Sequence, residues 1–271
     1  MIRLAAVSYL NARPLVAGLE REPGVSLTTD VPARLLDLLL ADRADVALCP
    51  VIDYQTSPRD LVIVPGGAIG ADGETLTVRL FSRRPLEEIE TVHVDSESHT
   101  SVALLEILLA ERNRRRPRLA PLAADWHRHT PPDALLLIGD KVVASAPTRD
   151  THPEVLDLGR AWRQLTGLPF VFACWMATAD RDLGAIGALL AARRMANLER
   201  LPELVREALP DGWTEPLARR YLGRLLRYDL GCRQLEAMQL FWDRASALGL
   251  LDGIRPLRLH GESEDAGRES A

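Results

Sequence analysis

Lysine is almost missing from this chain. Lys141 is the only one, arginine supplies the rest of the 33 basic residues, and 38 acidic residues bring the net charge to −5. That balance excludes the broad basic face that nucleic-acid binding needs, so a small anionic ligand has to be met by local groups. The three cysteines, Cys49, Cys174 and Cys232, are far apart in sequence and form no CxxC pair. Neither a zinc knuckle nor a disulfide framework is expected, and a reducing cytoplasm is the expected compartment. No uninterrupted apolar run approaches the ~20 residues of a membrane span. The opening apolar stretch meets Ser8, Asn11, Arg13 and Pro14 before a signal-peptide core develops, which predicts no secretion signal.

Sequence signatures of common cofactor chemistry are absent too. The segment from Gly66 to Gly73 is rich in glycine but lacks the GxGxxG spacing and the following helix of a dinucleotide site. No Walker motif, GxSxG elbow or HExxH occurs. The six histidines, His93, His99, His127, His129, His152 and His260, form no convincing ligand set, so no metal is expected.

What remains is a chain of 271 residues, 47% hydrophobic and 26% charged, able to bury a substantial core. Short β-like runs alternate with helical patterns, which predicts an α/β fold with largely parallel sheets. Strands are expected at Ile2 to Val7, Val25 to Thr29, Asp45 to Val51, Leu61 to Val64 and Leu76 to Ser82. The pattern resets at Arg83-Arg84-Pro85, and residues 183 to 249 are helical in pattern. The simplest arrangement has two lobes with a ligand cleft between them. Lobe 1 takes residues 1–84 and 174–258, lobe 2 residues 85–173, and residues 259–271 form a polar, mobile tail.

Several segments combine polar residues with strand ends. Ser8 and Asn11 follow the first strand, where they either cap a helix or face the cleft. Asp95-Ser96-Glu97-Ser98-His99-Thr100-Ser101 packs four hydroxyls at a helix start, more than a cap needs, and suits a carboxylate or phosphate. Gly139 and Asp140 follow an apolar run. Asp140 either caps the next helix or orients a ligand hydroxyl. Pro169 and Phe170 lie in the aromatic stretch Trp162 to Phe172, which packing alone could explain.

In order along the chain, SYLNxxPL (8–15), DVALCPV (45–51), DSxSxTS (95–101), LLIGD (136–140) and DLGxxWxxxTGLPFVFAxW (157–175) closely resemble the chorismate dehydratases of the futalosine route to menaquinone. The resemblance covers roughly residues 2 to 250. It implies a type II periplasmic-binding-protein-like fold with an interlobe cleft and a helical C-terminal segment, and an enzyme that converts chorismate to 3-[(1-carboxyvinyl)oxy]benzoate and water without a cofactor. Asn11 falls on the family's catalytic asparagine, with Asp140 the alternative protein base. Thr77 falls where many members have a substrate-contacting serine, and His99 where arginine is common. Ser8, Thr77, Ser98, Thr100, Ser101, Gly139, Pro169 and Phe170 are the expected substrate contacts. A non-catalytic anion-binding protein and the dihydroxynaphthoate synthase of the same route are the alternatives.

Overall fold

The computed structural model describes residues 1–95, 97–113 and 116–261. The chain begins with β1 (Ile2–Val7), a 3-10 turn at Leu10–Ala12, α1 (Arg13–Val16), β2 (Val25–Asp30), α2 (Leu35–Leu40), β3 (Val46–Pro50), α3 (Asp53–Thr56) and β4 (Leu61–Ala71). It continues through β5 (Val78–Ser82), β6 (Thr91–Val94), α4 (His99–Asn113), β7 (Arg118–Pro121), β8 (Ala134–Ile138), α5 (Lys141–Ser145), β9 (Glu154–Asp157) and α6 (Leu158–Thr166). Then follow β10 (Phe170–Thr178), α7 (Ile186–Glu199), α8 (Leu201–Glu207), α9 (Glu215–Arg220), a π turn at Tyr221–Leu225, β11 (Leu226–Arg227) and α10 (Cys232–Ala247).

These elements build two sheets. One has the order β11-β4-β10-β3-β1-β2, the other β7-β6-β8-β5-β9. Continuous apolar runs become fully buried strands, as in β3 and β8, because helices or loops cover both faces. The sheets are mixed rather than largely parallel. β1 pairs in parallel with β2 and β3, and β6 with β7 and β8, but β10 runs antiparallel to β3 and β4, and β5 antiparallel to β8 and β9. The reversed strands carry the chain between the lobes.

Sheet membership also places the crossings earlier than the expected lobe boundaries at residues 84/85 and 173/174. β4 ends the first visit to one sheet at Ala71, β5 already belongs to the other at Val78, and β10 is back in the first sheet from Phe170. Arg83-Arg84-Pro85 is a turn within the second sheet, where Ser82 Oγ accepts from the Arg84 N–H at 3.1 Å. Near the C-terminus, Leu259 bridges Ile63, and His260 N–H donates to the Ile63 carbonyl at 2.8 Å, so the chain is held through His260. The remainder of the expected tail, residues 262–271, lies outside the described residues. Cys49 and Cys174, 125 positions apart, are direct partners on β3 and β10 and remain free thiols in the core. Burial pushes both thiols up. Among the described residues no helix is long and apolar enough to cross a membrane.

Candidate active site

A cleft of about 570 Å³, counting its open part, lies between the sheets. That size is within the ~300–1,000 Å³ usual for small-molecule sites. Val7, Ile69, Val78, Ile138, Phe172 and Leu226 supply apolar wall, and Asn11, Thr77, Ser98, Ser101 and Tyr221 supply polar groups. Among the described residues no charged side chain lines it.

Asn11 sits in the 3-10 turn that follows β1, at the C-terminal edge of a parallel strand. Its amide oxygen is buried and has no hydrogen-bond partner among the described residues. Across the cleft, Thr77 Oγ1 lies 2.6 Å from the Tyr221 hydroxyl. Tyr221 is 1% exposed, and its ring centroid lies 5.0 Å from that of Trp213. Burial pushes its phenol well above the ordinary tyrosine range, against the opposing hydrogen bond from Thr77. It therefore stays neutral.

Thr77 is placed by its neighbours. Leu76 adopts φ +66°, a left-handed conformation rare for an apolar side chain. The Asp157 carboxylate holds this turn by accepting from Thr75 N–H at 2.9 Å, Leu76 N–H at 2.9 Å and Thr75 Oγ1 at 3.1 Å, while capping α6 through Arg160 N–H at 3.1 Å. Gly159 is required beside it, because a Cβ there would fall 2.4 Å from Thr75 Cγ2 and 2.6 Å from the Gly73 carbonyl.

On the second lobe, Ser98 caps α4: its Oγ accepts from Ser101 N–H at 3.3 Å and donates to Ser101 Oγ at 2.8 Å. The Ser101 hydroxyl hydrogen thus remains available at the positive end of a fifteen-residue helix. Thr100 does not reach the cleft; its Oγ1 accepts from Ile52 N–H at 3.1 Å and bridges the lobes. Ser96 is outside the described residues. His99 faces Asp53 instead, with Nδ1 at 2.8 Å from Oδ1.

Asp140 does not cap its own helix. No side-chain bond reaches α5; Oδ2 accepts from Leu10 N–H at 3.1 Å on the opposite lobe, beside Asn11. Burial raises its carboxyl, partly offset by that N–H. Gly139 lines the cleft with φ +64°, and a Cβ would press on the Tyr9 ring at 3.1 Å. Tyr9, which also lines the cleft, donates its hydroxyl to Glu97, and Lys141 Nζ bridges Glu97 at 2.6 Å and Asp95 at 2.9 Å.

Ser8, Pro169 and Phe170 lie outside the cleft. Ser8 is exposed in a surface hollow with Arg13 and Glu207. The Pro169 carbonyl accepts from Trp162 Nε1 at 3.0 Å, and Phe170 packs among Trp162, Phe172 and Phe241. Phe172, whose ring centroid lies 4.7 Å from that of Phe170, reaches the wall. Sequence reasoning missed Tyr9, Phe172 and Tyr221. Phe172 belonged to a motif already in view, whereas Tyr221 carried no signal beyond an aromatic in a helical stretch.

A sequence profile of the family described as menaquinone biosynthesis matches residues 2–247. A chorismate dehydratase from Thermus thermophilus is 32% identical over 259 residues, covering 89% of this chain and 93% of that protein. Among solved structures, a protein of Archaeoglobus fulgidus superposes with a TM-score of 0.69 at 14% identity, covering 92% of this chain and 98% of the other. The alkanesulfonate-binding protein of Xanthomonas axonopodis pv. citri, bound to MOPS, gives 0.67 at 17% identity, covering 93% and 94%. The fold is that of the periplasmic binding proteins, with two α/β lobes about a cleft.

Proposed function

The chain belongs to the menaquinone-biosynthesis family, and from that premise we propose that it is a hydro-lyase acting on chorismate, releasing water and 3-[(1-carboxyvinyl)oxy]benzoate. The observation that carries this reading is the buried amide oxygen of Asn11, without a partner among the described residues, in a cleft otherwise walled by apolar groups and hydroxyls. A buried acceptor without a partner costs about 1–3 kcal/mol, so it persists where a ligand supplies the donor. The C4 hydroxyl of chorismate is such a donor.

The substrate makes the chemistry easy. Loss of the C3 hydrogen leaves charge that delocalises through the ring alkene toward the ring carboxylate, and loss of the C4 hydroxyl then gives an aromatic ring. The two oxygen substituents are trans, so hydrogen and hydroxyl leave from one face, which suits a stepwise route. Among the described residues no charged side chain lines the cleft. The enolpyruvyl carboxylate, tethered near C3, therefore takes the proton and returns it to the departing C4 oxygen, so that water leaves. Asn11 orients the leaving hydroxyl, Thr77 contacts the substrate beside it, and Ser98, Ser101 and the start of α4 hold a carboxylate. Asp140 acts indirectly, by fixing the turn that presents Asn11.

Incubating the purified protein with chorismate and following the products by mass spectrometry tests the reading. Loss of one water is expected. Binding of chorismate without conversion would favour a solute-binding protein, and conversion only of cyclic de-hypoxanthine futalosine would favour the dihydroxynaphthoate synthase.

A further inference from the structure

We propose that Tyr221 is a positioning residue for this dehydration, a phenol whose hydrogen bond fixes the direction of the Thr77 hydroxyl beside Asn11. The inference rests on the dehydratase reading above. Three observations carry it. Tyr221 lines the cleft yet is 1% exposed, and its hydroxyl lies 2.6 Å from Thr77 Oγ1. Asn11 lines the same cleft, and its buried amide oxygen has no partner among the described residues. The residue opens the π turn Tyr221–Leu225, a local widening of helix geometry that recurs at functional positions.

The short contact orders the Thr77 side chain. With the Tyr221 hydroxyl donating to Thr77 Oγ1, the Thr77 hydrogen is left to point into the cleft, beside the open Asn11 oxygen. Without the phenol hydroxyl, Thr77 is free to turn and spend its hydrogen elsewhere. This substrate-facing group then loses its set orientation without losing volume. The Trp213 ring on one side and the Asp157-bound turn on the other hold Tyr221 and Thr77 in register. Hydrogen-bond groups aimed in advance at the reacting atoms lower the barrier without reorganising during the reaction.

The test compares Tyr221→Phe, Thr77→Val and the double variant in steady-state turnover of chorismate. Tyr221→Phe is expected to lower kcat about 10–100-fold while KM stays within about threefold, since the transition state and not ground-state binding loses a set orientation. Because Tyr221 acts through Thr77, adding Thr77→Val to Tyr221→Phe should cost less than about threefold more. A folded Tyr221→Phe protein with wild-type kcat, or losses that multiply in the double variant, would overturn the assignment. If the phenylalanine protein fails to fold, 3-fluorotyrosine at position 221 keeps the ring volume and strengthens the donor. A change in kcat is then expected, and an unchanged kcat would overturn the assignment. Absence of chorismate turnover by the wild type would overturn the dehydratase reading and this inference with it, whereas equal turnover of wild type and Tyr221→Phe would overturn only the role of Tyr221.

Discussion

Asp140 separates two mechanisms at the level of a single side chain. Its carboxylate accepts from Leu10 N–H across the lobes, and an asparagine oxygen can accept the same bond. Asp140→Asn should therefore keep turnover within about tenfold of wild type, where loss of a general base would cost about 10²–10⁴. Steady-state kinetics with chorismate reads the difference, and a dead Asp140→Asn enzyme that still binds would make Asp140 the base. Asn11, Ser98, Ser101 and Gly139 were legible as cleft-lining groups because strand ends and helix starts are where such groups sit, and Thr77 only through the resemblance. Tyr221 was not. Its contact with Thr77 spans 144 positions, and nothing local distinguishes a tyrosine aimed at a cleft from one packed in a core.

Helix ends explain the longer motifs. In DLGxxW, Asp157 caps α6 and also holds the left-handed turn before β5, so this stretch works as scaffold. Gly159→Ala should destabilise the protein by about 1–3 kcal/mol through overpacking against Thr75 and the Gly73 carbonyl, a drop that thermal or urea unfolding will show. The start of α4 carries a second device. His99 is raised by its hydrogen bond to Asp53, which burial itself pushes upward. A histidine whose folded value is raised contributes stability that is fully present below its unfolded value near 6.5 and is lost as pH rises through the folded value. The melting temperature of wild type should thus exceed that of His99→Gln most at about pH 6, with the gap closing toward pH 9. A gap that widens with pH would contradict the pairing. The DSxSxTS segment announced a helix start plainly, but the sequence could not say that His99 turns to Asp53, since α3 comes from the other lobe.

At the scale of the molecule, the lobes are tied across the cleft. Tyr9 to Glu97, Leu10 to Asp140, Ile52 to Thr100 and Ala33 N–H to the Glu97 carbonyl all cross it. The sole lysine anchors this set. Lys141 bridges Asp95 and Glu97, and although burial opposes its charge, those two hydrogen bonds outweigh it and raise Lys141 above its ordinary value. Lys141→Met leaves the Asp95 and Glu97 carboxylates without their shared cation beside the Tyr9 hydroxyl. KM for chorismate should rise about tenfold with kcat at saturation nearly unchanged, because closure rather than chemistry is weakened. Loss of kcat with KM unchanged would contradict that role. The two-lobe α/β plan was legible from alternating strand and helix patterns, yet the lobe crossings were not. Composition breaks most sharply at Arg83-Arg84-Pro85, but a sharp turn inside a sheet and a passage between sheets leave the same polar punctuation.

The central claim is that this cleft dehydrates chorismate through Asn11. Its most direct test is chorismate conversion by wild type and Asn11→Ala under single-turnover conditions, with melting temperature measured alongside. Wild type should release 3-[(1-carboxyvinyl)oxy]benzoate. Asn11→Ala should bind chorismate and convert it at least about 10²-fold more slowly, with a melting temperature close to wild type, since the deleted amide oxygen has no hydrogen-bond partner among the described residues. Equal conversion by the two folded proteins, or chorismate left intact by both, would contradict the account.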